Sequence, residues 1–374
     1  MNLNKISKLA KIGFNRISDE FSLKKDSKTG ISRRPPQTVY WIQHTDCNLN
    51  CPMCNVPQTP LKEEKQKWIS TSRIKTIVNE IADMGVVNFG VSGGEPLMDK
   101  NRLFEVLETA AKRSIYTHFG SNGILLNEEI FKRYDDLGVG HISLSADGIG
   151  DVHDRIRGRK GVWEKGVLKS LRAFKKVKPE NIWLKINSVI SNDNIDNLPD
   201  LVRFIAKEGH VVFIQPFDPC AYNFLTKNKD ARIANERFPQ WIPPERFSLL
   251  NDTIDELIDI EKENPGTLLN DRDHLEAIRR YFTFDILDKP TPCTIAFKNL
   301  WIKSNGNVGY CNYGLVGNLK NESLEELWNC DKMIKIRKRM LHCKFVCLLG
   351  CMYTPGFIKF AKKGLRTARR IMKV

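Results

Sequence analysis

The chain has 374 residues, a hydrophobic fraction of 41% and a formal net charge of +15, with a pI near 9.3. That apolar content excludes wholesale disorder and supports one large or two linked domains. No apolar run approaches the ~20 residues that span a bilayer, and the basic N-terminus lacks the apolar stretch of a secretory signal.

Ten cysteines without a secretion signal point to a reducing cytoplasm and to metal ligation in place of disulfides. The positive balance favours anionic partners, namely nucleic acid, phosphorylated substrates or an acidic membrane surface. A generally basic enzyme is the plainer reading.

In chain order, residues 1–21 fit an amphipathic helix. Leu3, Ile6, Leu9, Ala10, Phe14, Ile17 and Phe21 share one arc, with Lys5, Lys8, Lys11 and Arg16 off it. Such a helix either docks on the main domain or lies on a membrane surface. Residues 22–36, ending in Arg33-Arg34-Pro35-Pro36, read as a linker, so that 1–37 precede the main domain.

A repeating pattern starts at Val39. Strands are expected at Val39–Ile42, Val86–Val91, Ile115–Phe119, His141–Leu144, Trp183–Ile190 and Val211–Gln215. Between them come helices at Ser72–Met84 (stopped by Gly85), Arg102–Lys112, Glu128–Leu137, Trp163–Lys176 and Ile195–Lys207. Strands alternating with helices imply βαβ units and a parallel sheet, here a partial TIM-like (βα)6 barrel over 38–217. Ligands of such folds bind beyond the C-terminal strand ends.

Residues 218–290 read as a bridge, with helices at Pro243–Glu263 and His274–Phe282. Over 291–352 the character changes to a small cysteine-rich α+β unit. Asn299–Lys303 and Asn307–Tyr310 form a hairpin around Ser304-Asn305-Gly306, followed by a helix at Leu324–Met340. In 353–374 the segment Phe357–Val374 winds into a basic amphipathic helix, suited equally to covering the domain and to an anionic membrane surface.

The chemistry concentrates at strand ends. After the first strand, Cys47, Cys51 and Cys54 are spaced Cys-x3-Cys-x2-Cys. A structural zinc site and an ordinary [4Fe–4S] cluster each take four ligands, so three local cysteines suggest a cluster with one open iron. From the spacing alone a zinc site or a disulfide stays open. Ser92-Gly93-Gly94-Glu95-Pro96 closes the second strand: its glycines admit close backbone approach, and Glu95 can accept from an ammonium group.

The triplet and the Gly-Gly-Glu motif together resemble the radical S-adenosylmethionine (radical SAM) superfamily. The resemblance runs from about residue 38 to about residue 351. It implies that Cys47, Cys51 and Cys54 hold a catalytic [4Fe–4S] cluster whose open iron chelates S-adenosyl-L-methionine. One electron, from a donor such as flavodoxin or ferredoxin, then releases a 5′-deoxyadenosyl radical that takes hydrogen from substrate.

By the same resemblance Gly93, Gly94 and Glu95 contact the methionine amino group, and Met53 packs near adenine. Ser121 and Asn122, in Gly120-Ser121-Asn122-Gly123, belong to a recurrent turn that either contacts the ligand or simply turns the chain. Ser145 bonds the ribose or carboxylate. Asp147 faces the site or orders its loop. Arg157, with Arg155 as fallback, pairs with the cofactor carboxylate. In Ser143-Leu144-Ser145-Ala146-Asp147-Gly148, Ala146 replaces the family's usual Leu.

The C-terminal cysteines resemble the SPASM/twitch extension, which carries auxiliary [4Fe–4S] clusters. Cys293, Cys311, Cys330, Cys343, Cys347 and Cys351 are too few for two full clusters, so one is expected. Cys293 and Cys311 would supply two ligands and two of Cys343, Cys347 and Cys351 the others. Cys330 reads as structural and Cys220 as a non-ligand, although its place after the sixth strand leaves an active-site role open. Zinc is the alternative occupant.

The substrate stays open among small molecules, lipid-linked intermediates and peptides. The 46 residues before Cys47 are too few for a leader-binding domain, which weighs against a peptide. The competing reading is a non-catalytic iron–sulfur or zinc protein that holds nucleic acid on its basic surface. It predicts salt-sensitive binding and no S-adenosylmethionine turnover, and nucleic acid is disfavoured because no usual RNA-binding motif occurs.

Overall fold

A computed structural model describes residues 22–54, 56, 68–138, 140–218, 238–283, 292–310, 313–343 and 348. The two terminal amphipathic segments, Cys220, Cys311, Cys347 and Cys351 lie outside the described residues.

Six parallel strands, β1 (Thr38–Ile42), β2 (Asn88–Ser92), β3 (Tyr116–Ser121), β4 (Gly140–Ser145), β5 (Ile182–Ile190) and β6 (Val211–Pro216), pair in sequential order. Helices α1 (Thr71–Asp83), α2 (Lys100–Lys112), α3 (Glu128–Asp136), the short α4 (Asp151–Ile156), α5 (Lys169–Val177) and α6 (Leu198–Lys207) connect them. Their apolar stripes cover one face of the sheet: Ile74, Ile77, Val78 and Ile81 of α1, for example, are buried. On the strands the partners are alternate residues such as Val39, Trp41, Phe89, Val91, Phe119, Ile142 and Leu184. Burying this face in one continuous apolar core supplies the main drive to fold.

The barrel is partial and the sheet does not close. After α7 (Phe247–Glu263), α8 (Arg272–Phe282) and the turn-length α9 (Ile295–Lys298), strand β7 (Asn299–Ile302) pairs parallel with β1. Strands β8 (Asn307–Tyr310) and β9 (Gly314–Asn318) follow antiparallel, giving the order β6-β5-β4-β3-β2-β1-β7-β8-β9. The Ser304-Asn305-Gly306 turn has the expected positive φ at Gly306, +85°. The open edge of β6 is blunted: Val212 exchanges backbone hydrogen bonds with Thr267 and Leu269, and the Asn270 amide satisfies both backbone groups of Ile214.

Several boundaries differ from the sequence-based expectation. Residues 22–29 are helical where a linker is expected. The expected helix Trp163–Lys176 opens as a π-helix over Trp163–Leu168, because Gly166 lies against the backbone of Asn122 and Gly123. Helix α6 begins at Leu198, with Asn197 at its N-cap and Pro199 in its first turn. The single helix expected over Leu324–Met340 is two, α10 (Leu324–Trp328) and α11 (Asp331–Met340), and Cys330 is the N-cap of the second. Asn329 forces the break by turning its side chain to Ser32.

On the face away from the helices, one register row carries a ladder of rings: Trp301, Tyr40, His118, His141 and Trp183. Trp301 stacks on Tyr40 at 5.3 Å, Tyr40 meets His118 edge-on at 5.7 Å, and His118 and His141 stack at 4.7 Å. Gly90 occupies the β2 place in this row. A Cβ there would meet His118 Nε2 at 2.5 Å, so glycine is what lets the rings touch across β2.

Candidate active site

The chain leaves β1 through Gln43 and enters the cysteine loop. The end of β2 clamps this loop along its backbone: Gln43 N–H donates to Ser92 O, Gly94 N–H to His44 O, and Glu95 N–H to Asp46 O. Gly93 has φ +136°, and a Cβ on Gly93 or Gly94 would collide with the carbonyls of His44 or Asp46. The two glycines are therefore demanded by a backbone-on-backbone approach that brings the β2 rim against the Cys47 segment.

Within the loop, Cys51 and Met53 are buried and Cys47 and Cys54 half-buried. Cys54 N–H donates to Cys51 O, and Leu49 N–H lies 3.5 Å from Cys47 Sγ. Burial pushes all three thiols up, Cys54 to about 11; Cys47 and Cys54 are also raised by neighbouring thiols of the loop, while Arg157 pulls Cys51 back down. No trio of His, Cys, Asp or Glu among the described residues converges on single-ion geometry. A bound metal centre would supply the positive charge that buried thiolates need.

Glu95 points inward. Its carboxylate accepts from Ser121 Oγ at 3.0 Å, from the Asn122 N–H at 2.7 Å and from the Leu97 N–H at 3.3 Å. Burial raises its pKa to about 7 against these hydrogen bonds. In this structure it straps the β2 rim to the β3 rim. Asn122 passes the link on: its Nδ2 donates to Asn48 Oδ1 at 2.7 Å and lies 3.9 Å from Cys47 Sγ. The π-helix backs this turn, with Ser170 Oγ bonding Gly123 O and Gly166 O.

At the β4 rim Ser145 is half-buried, in register with Asn187. Asp147 is fully buried. It forms an ion pair with Arg157 at 2.5 Å and accepts from the Val189 N–H at 2.9 Å. Burial opposes charge on Arg157, but Asp147 and then Cys51 outweigh it and hold the guanidinium charged. Arg157 also hydrogen-bonds Cys51, and its buried Nε has no hydrogen-bond partner among the described residues. The fallback Arg155 instead turns outward to Asp193 O.

The structure thus gathers Cys47, Cys51 and Cys54, Gly93 and Gly94, Asn122, Asp147 and Arg157 at one end of the sheet. An unsatisfied guanidinium N–H and a glycine-lined backbone beside the thiols fit an anionic, multi-donor ligand. Three supporting residues were missed in the sequence: Asn48, His153 and Asn194. His153 Nδ1 accepts from the Asp147 N–H, and burial, then Arg157, keeps the ring neutral. Asn194 Nδ2 donates to Asp147 O and Val189 O. Asn48 and His153 sit inside quoted motifs, but nothing local marks Asn194.

In the C-terminal region Cys293 precedes α9 and Cys343 follows α11, two helices that pack together. His274 of α8 bonds Leu348 O at 3.0 Å, which ties Leu348 to the body of the protein. Among the described residues no helix is long and apolar enough to cross a membrane.

Comparison with known proteins agrees with this geometry. Residues 42–205 match the radical SAM superfamily model, and residues 293–352 match SPASM, an iron–sulfur cluster-binding domain. Fe-coproporphyrin III synthase of Methanosarcina barkeri is 25% identical over 206 residues, 55% of this chain and 48% of that protein. PqqA peptide cyclase of Granulibacter bethesdensis is 32% identical over 163 residues, 42% of this chain and 40% of that protein. The chain spans half or less of the length of these two relatives. The fold matches Streptococcus suis SuiB bound to precursor peptide SuiA with a TM-score of 0.61 at 16% identity, covering 83% of this chain and 68% of that one. The radical SAM domain implies S-adenosylmethionine and a [4Fe–4S] cluster, and the SPASM domain implies auxiliary iron–sulfur ligation. Residues 42–205 are thus a radical SAM domain, and residues 293–352 form a C-terminal SPASM extension.

Proposed function

We propose that the protein is a radical SAM enzyme that takes hydrogen from a peptide substrate held in the lumen of the partial barrel. The observation that carries the reading is the clamp of Gly93 and Gly94 onto the Cys47 loop beside Arg157, whose side chain is only 11% exposed. Bound at an iron–sulfur cluster, S-adenosylmethionine supplies a 5′-deoxyadenosyl radical on one-electron reduction.

The chain's own part is binding and exclusion of water. Cys47, Cys51 and Cys54 ligate the catalytic cluster. The backbone of Gly93 and Gly94, together with the desolvated carboxylate of Glu95, favours the cofactor ammonium, and a cation brought to Glu95 offsets its burial cost. Arg157 offers its Nε–H to the cofactor carboxylate while Asp147 holds the guanidinium in place. Ser121, Asn122 and Ser145 complete the rim, and Met53 covers the adenine.

Cys293 and Cys311, with two of Cys343, Cys347 and Cys351, hold one auxiliary cluster that exchanges electrons or binds substrate. A flavodoxin- or ferredoxin-type donor provides the reducing electron. A peptide is favoured by the relative named for a peptide and by the SuiB fold, which binds a precursor peptide. The Methanosarcina relative is named for a porphyrin, which makes a porphyrin the control substrate class.

The test is anaerobic. The protein is reconstituted with iron and sulfide, reduced and given S-adenosylmethionine, and 5′-deoxyadenosine is assayed with Cys54→Ala beside it. Product that disappears in the variant is expected. An intact, reducible cluster that binds no S-adenosylmethionine would sink the reading.

A further inference from the structure

Strand β4 turns His141 into the lumen between His118 of β3 and Trp183 of β5, each in register with it. The imidazole is held in a stack. His118 lies 4.7 Å away on one side at 3°, and Trp183 lies 4.7 Å away on the other at 29°. With both faces covered, only the edge of the ring is left for polar contacts. An imidazole N–H points out along its own ring plane, so neither stacked neighbour can accept from it.

The edge carries two nitrogens with different surroundings. Nδ1 is 2.9 Å from Tyr116 Oη, which also lies 3.0 Å from Trp183 Nε1. An indole only donates, so Tyr116 accepts from Trp183. Burial raises Tyr116 far above the ordinary phenol value, so it keeps its proton, and the acceptor beside that proton is His141 Nδ1. Burial, then His118 and Lys185, keep the His141 ring neutral. A neutral imidazole that accepts on Nδ1 carries its hydrogen on Nε2. The opposite tautomer would strand the Tyr116 proton, so hydrogen-bond satisfaction selects Nε2–H.

His141 Nε2 is buried and has no hydrogen-bond partner among the described residues. It is at the tip of the side chain, away from the backbone and toward the lumen. One step nearer the rim, Gly120 pairs with Ser143, and a Cβ added at Gly120 would meet nothing within 4 Å. Two stacks and one hydrogen bond thus fix a neutral donor in place, with no acceptor of its own and open space beside it.

We propose that His141 Nε2–H binds a carbonyl oxygen of the peptide substrate at the floor of the lumen. The inference rests on the functional reading above and names the group by which the same site holds its substrate. His141 sets specificity for a neutral acceptor, and Tyr116 is a positioning residue that acts by fixing the tautomer.

The probes are acetophenone and α-methylstyrene, which share a shape and differ in the carbonyl acceptor. Each is titrated by ligand-observed NMR into reconstituted holoenzyme, and S-adenosylmethionine binding is measured on the same sample. A preference of about tenfold for acetophenone is expected. His141→Phe keeps a flat ring in the stack and should abolish the preference. His141→Gln keeps an N–H at similar reach and should retain it.

The second readout is the nitrogen spectrum of holoenzyme labelled at histidine, with His141 assigned by its loss in His141→Phe. It should show the Nε2–H tautomer, an Nε2 resonance that moves with acetophenone and not with α-methylstyrene, and an Nδ1 resonance that moves in Tyr116→Phe. An Nδ1–H tautomer, equal binding of the two probes, or a preference that survives His141→Phe overturns the proposal. An Nε2–H that acetophenone leaves unmoved assigns its partner as a fixed water and overturns it too. If S-adenosylmethionine binds while the probes fail to discriminate, only the lumen proposal falls. If S-adenosylmethionine does not bind, the functional reading falls with it.

Discussion

At Glu95, burial and hydrogen bonding pull in opposite directions, and burial wins: the carboxyl sits at about 7 against an ordinary value of 4.5. Between those values the folded protein keeps a proton that the unfolded chain releases, so stability falls as pH rises through this window. The shift corresponds to roughly 3 kcal/mol. Glu95→Gln keeps an acceptor for the Asn122 N–H and removes the charge. Melts of the cofactor-free protein from pH 5 to pH 8 should therefore show a loss of stability in the wild type that flattens in the variant; an unchanged slope would assign it to other groups. Glycines make a second residue-scale contrast. Gly94→Ala drives a Cβ into the Asp46 backbone, which cannot yield, and should cost about 1–3 kcal/mol and lower the iron retained after reconstitution. Gly120→Ala enters open space and should leave the melting temperature nearly unchanged. Equal effects on stability would mean that the clamp between β2 and the cysteine loop is not what Gly94 provides.

The elements that were legible are those whose sequence period matches a regular surface. Six strand–helix units read in order because α1 repeats Ile74, Ile77, Val78 and Ile81 at helical spacing, β4 and β5 alternate, and β1 and β2 are short apolar runs. The cysteine triplet and Gly93-Gly94-Glu95 read as chemistry because their side chains are local in sequence. What was not legible depends on distant partners. The π-start at Trp163–Leu168 follows from Gly166 meeting Asn122, and the break before α11 follows from Asn329 meeting Ser32, 297 positions away. Strand β9 escaped notice because Gly314 to Asn318 is short and flanked by polar turns. The ring ladder was also hidden, since only the register puts Trp301, Tyr40, His118 and His141 in one row. It makes an element-scale prediction. Gly90→Ala should push Tyr40 and His118 apart, cost about 1–3 kcal/mol in thermal melts and shift the indole emission of the stacked Trp301 and Trp183. A destabilised variant with unaltered emission would locate the strain away from the ladder.

At the scale of the whole molecule, residues 22–34 lie against the two C-terminal helices instead of linking loosely to the barrel. Asp26 pairs with Arg33, Ser32 and Asn329 exchange two hydrogen bonds of 3.0 and 2.9 Å, and Trp328 Nε1–H donates to Arg34 O at 2.7 Å. The buried Arg337 finishes the clasp. It donates to Ala296 O, Gly30 O and Asn329 Oδ1 and sits 4.3 Å over the Trp328 ring. Because β7 pairs with β1 directly after this strap, the same contacts hold the SPASM region against the first strand of the barrel and therefore against the cysteine loop that follows it. Asn329→Ala removes both bonds to Ser32 and one to Arg337, and leaves Gly30 O and the stacked rings in place. The expected outcome is local release of the strap: trypsin should cut after Lys28 and Arg33 about tenfold faster, while the barrel resists as before. A lowered melting temperature with unchanged cutting at those two sites would show instead that Asn329 serves only the junction between α10 and α11. Faster cutting together with weaker retention of iron at Cys47, Cys51 and Cys54 would show that the strap carries order from the C-terminal extension to the catalytic loop.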